Sequence, residues 1–247
     1  MTLFDVVIPA RDEERTIEGV VRPAVASRGV DRVWVVDDGS TDATAERARQ
    51  AGAHVVRSFG KGDKALALAT GVSISRADVL VFFDGDILNV EPWHFESLAA
   101  PILSGKYQLS CGLVDYGRLR NPLFLRLPPI TGLRALQRSV FEAIPRERLR
   151  GFQIEIMINE VIARGGMPSS IRVLSGIEHV SKIKKNGWRR GVPSHLRMTL
   201  ELLDCFRFVP LWTYGAYLRK LHVLPPGDHH AAGPAAGTNQ SNLENVS

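Results

Sequence analysis

The feature that most constrains this chain is an apolar run that ends in two carboxylates. Residues 79–83 read Val-Leu-Val-Phe-Phe, and Asp84, Gly85 and Asp86 follow directly. A continuously apolar run of this length is typical of a strand buried on both faces of a parallel sheet. Such a strand delivers its last residues to the sheet edge where open α/β folds bind ligands. Two carboxylates repel each other there unless a cation lies between them, so the motif predicts a site for Mg²⁺ or Mn²⁺. The alternative is a polar turn in which Gly85 supplies the bend.

Predicted strands and helices alternate along the chain. The predicted strands are 4–8, 33–36, 53–56, 79–83, 108–113 and 171–174, and the predicted helices are 14–26, 41–50, 63–75, 92–103, 152–163 and 196–208. Pro23 is expected to break or kink the first helix, and Ser40 is expected to cap the second. Because strands alternate with helices in the amino-terminal half, we predict an α/β fold with a mainly parallel sheet flanked by helices.

Composition indicates an ordinary globular protein with a preference for anionic partners. Hydrophobic residues make up 45% of the chain and charged residues 23%, while the net charge is +5 and the pI about 9.5. We predict one α/β domain over 1–195, a helical and aromatic extension over 196–224, and a disordered tail over 225–247. The two cysteines have no metal-site spacing, so we expect neither a disulfide nor a zinc site. No stretch reaches the roughly 18 apolar residues of a membrane span, and a cytoplasmic location is expected.

Three acidic loops follow three of the predicted strands. They cover residues 9–14, 37–42 and 84–86. Because the carboxyl ends of parallel strands meet at one edge of a sheet, these loops are expected to converge. An acidic rim of this kind suits a ligand rich in hydrogen-bond donors together with a metal ion. Asp38 is placed to accept from a base N–H or a ribose hydroxyl, although a turn followed by a helix cap explains part of the same motif.

Four motifs in this chain resemble those of family 2 glycosyltransferases. They are Val-Ile-Pro-Ala-Arg-Asp-Glu-Glu at 7–14, Val-Val-Asp-Asp-Gly-Ser-Thr-Asp at 35–42, Gly-Lys-Gly at 60–62 and Phe-Asp-Gly-Asp at 83–86. The resemblance covers roughly residues 4–190 and implies the GT-A fold and a nucleotide-diphosphate sugar donor. Within the family, Gly-Leu-Arg-Ala-Leu at 132–136 resembles the dolichol- and polyprenyl-phosphate mannosyltransferase branch. Arg11-Asp12 stands where Tyr/Phe-Asn is usual, which leaves the nucleotide base open.

The resemblance implies roles for individual residues around the donor. Those expected to bind the nucleotide are Pro9, Arg11, Glu13, Val36, Asp38, Lys61, Asp84 and Gly85. Asp84, Asp86 and His179 are the expected metal ligands, with Asp86 binding the ion directly. The ion would stabilise the leaving nucleoside diphosphate as a Lewis acid. A structural histidine is the alternative for His179.

Basic residues are the candidates for the acceptor. Arg118 and Arg134 resemble acceptor-loop arginines of the polyprenyl-phosphate branch, which hold a phosphate bidentately. Lys182 and Lys185 lie in a basic loop that we interpret as a lid over the diphosphate and the acceptor phosphate. The alternative for that loop is an ordinary solvated surface.

Two further features depend on what the acceptor is. Glu155 lies in an otherwise apolar helix and is a candidate general base if the acceptor is a hydroxyl; otherwise it marks the wet face of that helix. Trp212, Tyr214 and Tyr217 lie among basic residues. They either pack on the core or rest on an anionic membrane, which would give a peripheral contact with its inner face.

The sequence therefore predicts a metal-dependent, inverting hexosyltransferase that uses polyprenyl phosphate as acceptor. Transfer to a small phosphorylated acceptor such as 3-phosphoglycerate, with retention, is the alternative within the class. A dehydrogenase is the alternative outside it, because Gly-Lys-Gly-Asp-Lys-Ala at 60–65 fits a dinucleotide fingerprint. That fingerprint should open the first βαβ unit, and two such units precede it here. A nucleotidyltransferase would carry a glycine-rich basic loop after the first strand, where this chain is acidic. No nucleic acid partner is expected, and the sugar, the base and the oligomeric state stay open.

Overall fold

The protein is organised around an eight-stranded, mainly parallel sheet. A computed structural model of the chain describes residues 3–58, 62–126, 129–149, 154–179 and 211–227. The strands are β1 (Phe4–Ala10), β2 (Val30–Asp37), β3 (His54–Arg57), β4 (Val79–Phe82), β5 (Ile87–Leu88), β6 (Leu109–Val114), β7 (Arg134–Gln137), β8 (Ser169–Leu174), β9 (Glu178–His179) and β10 (Leu221–Val223). The large sheet has the order β10-β8-β6-β7-β4-β1-β2-β3, and β5 pairs with β9 in a separate small sheet.

One strand of the large sheet runs against the others. β7 is antiparallel to both of its neighbours, β4 and β6, whereas the remaining pairs are parallel. The predicted α/β fold with a mainly parallel sheet is therefore confirmed. β7 was not predicted, because four residues that open on an arginine carry too weak an apolar pattern.

Helices cover both faces of this sheet. They are α1 (Ile17–Ala26), α2 (Thr44–Gln50), α3 (Lys64–Ile74), α4 (Pro92–Leu103), α5 (Asn121–Phe124), α6 (Arg138–Glu142), α7 (Ile154–Arg164) and α8 (Leu211–Arg219), with a 3₁₀ turn at Arg146–Arg148. Buried side chains of α1, α2 and α4 form the core on one face. Those of α3, α6, α7 and α8 form the core on the other face. The strands are thus buried on both sides, as their continuous apolar runs predicted.

The first two helices differ in detail from the prediction. α1 does not break at Pro23, since Val20, Val21 and Ala24 are buried on either side of it and packing outweighs the local preference. α2 begins only at Thr44, and Ser40 does not cap it. Ser40 is instead used within the preceding loop, where its backbone N–H donates to Asp37 Oδ1 at 2.9 Å.

The described part of the predicted carboxy-terminal extension belongs to the same sheet. β10 pairs in parallel with β8 as the edge strand, and α8 packs beside α7. Tyr217 is buried in the core, so core packing is the correct alternative for that side chain. Trp212 is 59% exposed and stacks under the Arg164 guanidinium. No helix among the described residues is long and apolar enough to cross a membrane. The predicted helix at 196–208 and residues 228–247 of the predicted tail lie outside the described residues.

Candidate active site

The three acidic loops meet at one edge of the sheet, as predicted. β1 lies between β2 and β4 and is parallel to both. Ala10 and Asp37 are register partners, and Asp38 N–H extends the pairing by donating to Ala10 O at 2.9 Å. On the other side, Phe83 N–H donates to Val7 O at 3.2 Å. The carboxyl ends of the three strands therefore present their loops side by side.

The loops after β1 and β2 are locked together by hydrogen bonds. Asp12 N–H donates to Ser40 Oγ at 3.1 Å, and Thr41 N–H donates back to Asp12 Oδ1 at 2.8 Å. Glu13 N–H donates to Thr44 Oγ1 at 2.7 Å. Asp12 has a φ of 52°, in the left-handed region that aspartate tolerates better than most residues. This reciprocal bonding gives the first loop a defined shape.

Asp38 offers a buried acceptor atom to this edge. Its side chain is 5% exposed, and Oδ1 has no hydrogen-bond partner among the described residues. Burial raises the pKa of Asp38, although hydrogen bonds from Ser58, Gly62 and Asp63 and the charge of Arg11 act in the opposite direction. A buried carboxylate oxygen without a donor is costly. A ligand N–H or hydroxyl would satisfy it.

A lysine that the sequence did not single out joins two carboxylates. Lys64 Nζ lies 2.7 Å from Asp84 Oδ1 and 2.9 Å from Glu155 Oε1. The three side chains come from the start of α3, the end of β4 and the start of α7, and all are largely buried. Burial alone would lower the pKa of Lys64, but the charges of Asp84 and Glu155 outweigh it and raise that pKa. The prediction that Glu155 marks a wet helix face is therefore wrong.

Asp86 and His179 form a second pair beside this cluster. β5 and β9 are antiparallel, with His179 opposite Ile87. This pairing brings His179 Nδ1 to 3.8 Å from Asp86 Oδ1. The neighbouring Asp86 carboxylate raises the pKa of His179, while burial opposes the shift. The 3.8 Å separation is shorter than twice a metal–ligand distance of about 2.1 Å, so both atoms can reach one ion. A carboxylate and an imidazole are suitable ligands for Mn²⁺.

The predicted set of three protein ligands is not assembled. Asp84 is held by Lys64, and among the described residues no three His, Cys, Asp or Glu side chains are grouped to bind a metal ion. The Lys64 ammonium group lies beside Asp84, at the position where the sequence predicted a metal ion. Asp86 and His179 are the pair that fits an ion.

Two glycines allow the carboxylates to sit close to the backbone. A Cβ at Gly85 would collide with the carboxylate of Glu13, and a Cβ at Gly132 would collide with the carboxylate of Asp84. The segment that leads into β7 therefore packs directly on Asp84. Gly85 is required for the close approach of the Glu13 carboxylate rather than only for a bend.

The structure also locates the remaining predicted residues. Pro9 is half-buried at the end of β1 and Arg11 is exposed in the loop after it, whereas the Val36 side chain is fully buried in the core. Arg118 is exposed in the loop after β6. Because β6 and β4 are both antiparallel to β7, the carboxyl ends of β6 and β4 lie at the same sheet edge. Lys61, Lys182 and Lys185 lie outside the described residues.

Arg134 is not placed as predicted. Its side chain is 1% exposed, and its guanidinium donates to Pro129 O and Thr131 O, each at 2.6 Å. It also donates to Glu155 O at 3.1 Å and Asn159 Oδ1 at 2.9 Å. The predicted phosphate contact is therefore wrong for this structure, because the donors of Arg134 are used inside the protein.

The chain is similar to known glycosyltransferases. The sequence model described as "Glycosyl transferase family 2" matches residues 5–157. Glucosyl-3-phosphoglycerate synthase of Mycolicibacterium paratuberculosis is 41% identical over 219 residues, which cover 71% of this chain and 65% of that protein. The enzyme of the same name from Mycobacterium tuberculosis strain H37Rv is 38% identical over 116 residues, covering 42% of this chain and 35% of that protein. This chain thus spans less than two thirds of either relative.

Solved structures show the same fold. Crystal structures of glucosyl-3-phosphoglycerate synthase from Mycobacterium tuberculosis superpose on this chain and cover 72% of both chains. The complex with Mn²⁺, uridine-diphosphate-glucose and phosphoglyceric acid has a TM-score of 0.62 at 29% identity. The complex with Mg²⁺ and uridine-diphosphate has a TM-score of 0.63 at 28% identity. The predicted α/β architecture of the GT-A type is confirmed by this likeness.

Proposed function

Because this chain belongs to glycosyltransferase family 2, we propose that it transfers a hexosyl group from a nucleoside-diphosphate sugar to a small phosphorylated acceptor. The donor is of the UDP-glucose type and the acceptor of the 3-phosphoglycerate type. The observation that carries this proposal is the convergence of Asp38, Asp84, Asp86 and His179 at one sheet edge. The relatives support the phosphoglycerate alternative better than the predicted polyprenyl-phosphate branch, since the most similar ones reported above are glucosyl-3-phosphoglycerate synthases.

The loops after β1 and β2 form the nucleoside side of the site. Asp38 supplies a buried carboxylate oxygen whose partner would be a base N–H or a ribose hydroxyl. Pro9 and Arg11 flank Asp38 at the end of β1. The hydrogen bond from Thr41 N–H to Asp12 Oδ1 fixes the conformation of both loops without a ligand. A preformed site avoids the cost of ordering a loop on binding.

Asp86 and His179 would hold a divalent cation together with the diphosphate of the donor. A bound Mg²⁺ or Mn²⁺ supplies Lewis-acid stabilisation of the leaving diphosphate. The two side chains fit that role because their Oδ1 and Nδ1 atoms are 3.8 Å apart. His179 would coordinate the ion through a ring nitrogen that carries no proton.

Lys64, Asp84 and Glu155 form the sugar side of the site. The ammonium group of Lys64 balances the charge of both carboxylates, which lets Asp84 and Glu155 accept hydrogen bonds from sugar hydroxyls. Glu155 is also the candidate to orient the acceptor hydroxyl. Its carboxylate shares the Lys64 ammonium group with Asp84, so it lies beside the position proposed for the sugar. Water exclusion by the surrounding core strengthens these charged contacts.

A lipid phosphate is the second candidate acceptor. Leu119 is 95% exposed and lies between Arg118 and Arg120 in the loop after β6, at the same sheet edge as the site. An exposed leucine between two arginines suits an amphipathic anion as well as the rim of a small-molecule site. A direct comparison of acceptors can separate the two.

The test is a transfer assay with radiolabelled UDP-glucose and GDP-mannose. Each donor is offered with 3-phosphoglycerate or with a polyprenyl phosphate in detergent, with and without Mn²⁺. We expect a glucosylated phosphoglycerate that forms only in the presence of the metal ion, and NMR of its anomeric proton decides between retention and inversion. Transfer to the polyprenyl phosphate alone, or transfer at full rate in EDTA, would overturn the proposal.

A further inference from the structure

Arg134 is a buried cation whose partners are all neutral. Its guanidinium donates to three backbone carbonyl groups and to the side-chain amide of Asn159. Among the described residues, its contacts include no carboxylate. A buried charge without a carboxylate is costly, and an apolar side chain of similar size would serve packing at least as well. What the guanidinium adds is the ability to hold four oxygen atoms in fixed positions.

The groups that Arg134 holds lead directly to the sugar side of the site. Pro129 and Thr131 belong to the segment that precedes β7. The next residue, Gly132, packs against the carboxylate of Asp84. A displacement of that segment would therefore remove the backbone contact that holds the Asp84 carboxylate in position.

The second connection runs through α7. Arg134 donates to the backbone carbonyl of Glu155 in the first turn of α7, and to Asn159 one turn later. Asn159 closes the network, because its Nδ2 donates to Pro129 O at 2.9 Å. The Glu155 carboxylate in turn contacts Lys64. Arg134 therefore joins the segment behind Asp84 to the helix turn that carries Glu155.

Residues of β6 and α8 pack against one side of Arg134. Cys111 is its register partner on β6, and Tyr217 of α8 lies against Cys111. Both side chains are buried in the core. The core therefore encloses Arg134 on this side, and its donors are used inside the protein.

We propose that Arg134 is a positioning residue that fixes the spacing between Asp84 and Glu155, and hence the bridge that Lys64 makes between them. The inference rests on the proposed function for its kinetic consequence, since Asp84 and Glu155 are taken to hold the transferred sugar. Its structural consequence is independent of any substrate, because the Lys64 bridge exists without one.

The experiment compares Arg134→Met with Arg138→Met. Arg138 is a matched control: it is also largely buried and donates to the backbone carbonyls of Ala77 and Val72, at 2.9 and 2.8 Å, but it lies at the far end of β7 from the site. The first readout is acetylation of Lys64 by trace acetic anhydride, quantified by peptide mass spectrometry on folded protein. With the bridge loosened, R134M should label Lys64 about tenfold faster than the unsubstituted protein, and R138M at the unchanged rate.

The second readout is steady-state kinetics with UDP-glucose and 3-phosphoglycerate. R134M should lower kcat about 100-fold, as a misplacement near 1 Å does, while the Kd for UDP stays within about twofold because the nucleoside side is remote. R138M should keep both values. If R134M does not yield folded protein, R134K replaces it, since it keeps the charge but cannot reach four acceptors.

Equal Lys64 labelling in the Arg134 and Arg138 variants would overturn the positioning role, as would an unchanged kcat in a folded R134M. The labelling comparison decides this even if the unsubstituted enzyme transfers no glucose to 3-phosphoglycerate. That last result would count against the proposed function alone.

Discussion

The nucleoside side and the sugar side of the site are built in different ways. On the nucleoside side, each loop is a contiguous motif that follows a parallel strand, and backbone groups make most of the contacts. On the sugar side, Lys64, Asp84 and Glu155 meet as charged side chains, and Lys64 and Glu155 are 91 residues apart in sequence. The nucleoside side depends on where strands end. The sugar side depends on how α3 and α7 pack across the sheet.

The largest effect is expected where the two sides meet, at Asp86. Replacing Asp86 by Ala removes one of the two side chains that fit a metal ion, so kcat with Mn²⁺ should fall on the order of 10³-fold. Asp31→Ala is the control, because Asp31 is an exposed aspartate near the opposite end of β2. Steady-state assays and Mn²⁺ titration followed by EPR check the expectation. An Asp86→Ala protein that transfers sugar at full rate would refute the metal assignment.

The next largest effect is expected for the cation of the sugar side. Lys64→Met leaves Asp84 and Glu155 facing each other without a counter-charge, which should lower the unfolding free energy by about 3 kcal/mol and kcat about 100-fold. Lys106→Met, at an exposed lysine after α4, should change neither. Denaturant titration and initial rates are the measurements.

A double-mutant cycle sharpens this result. If Lys64 acts through Glu155, the combined Lys64→Met and Glu155→Gln protein should lose less stability than the sum of the two single changes. Strict additivity would mean that the bridge observed between the two side chains contributes nothing.

Gly132 tests whether backbone packing sets the position of Asp84. An alanine there brings a methyl group into the Asp84 carboxylate, and kcat should fall between about tenfold and 100-fold. Gly215→Ala is the matched control, since a Cβ at that position in α8 meets nothing within 4 Å and should stabilise the helix by up to about 1 kcal/mol. The idea fails if the Gly132 variant is folded and fully active.

The smallest change in turnover is expected on the nucleoside side. Asp38→Asn removes a charged acceptor, so the Kd for UDP measured by calorimetry should rise about tenfold, with kcat at saturating donor little changed. Asp31→Asn is the control, because Asp31 is an exposed aspartate near the opposite end of β2, and it should leave the Kd unaltered. Unchanged UDP affinity in the Asp38 variant would show that Asp38 does not contact the nucleotide.

The same variant has a pH-dependent effect on stability. Burial raises the pKa of Asp38 in the folded state, so the unfolded chain loses this proton first as the pH rises. The charged carboxylate therefore destabilises the fold above its folded pKa, and the penalty vanishes below the unfolded value of about 3.9. Asp38→Asn should accordingly be more stable than the unsubstituted protein at pH 7, and the two should converge near pH 3. Denaturant titrations at both pH values check the sign.

Much of the site was predictable from the sequence because a parallel sheet converts strand order into spatial order. Once 4–8, 33–36 and 79–83 are taken as parallel strands, Asp38 and Asp84 must lie at a common edge. His179 was expected, on family resemblance, to share a metal ion with Asp84 and Asp86, and the structure places it beside Asp86. The β5–β9 pair that brings it to Asp86 has two residues in each strand, too short for a detectable pattern.

Other parts of the site could not be predicted from local patterns. Lys64 lay within a glycine motif that suggested a dinucleotide fingerprint, and its place between Asp84 and Glu155 follows only from the packing of α3 and α7. Arg134 was expected to bind phosphate because of its resemblance to acceptor-loop arginines, yet in β7 its side chain is buried. Whether an arginine points to solvent or into the core depends on strand register, and a one-residue shift reverses it.

The α/β alternation and the acidic loops at strand ends follow from local sequence patterns, because they depend on apolar runs and on residues adjacent in the chain. The folded structure was needed to show which cation faces Asp84, which acid faces His179, and that the guanidinium of Arg134 bonds inside the core. Those pairings join segments far apart in sequence, and they are selected by the cost of leaving a buried charge or donor without a partner.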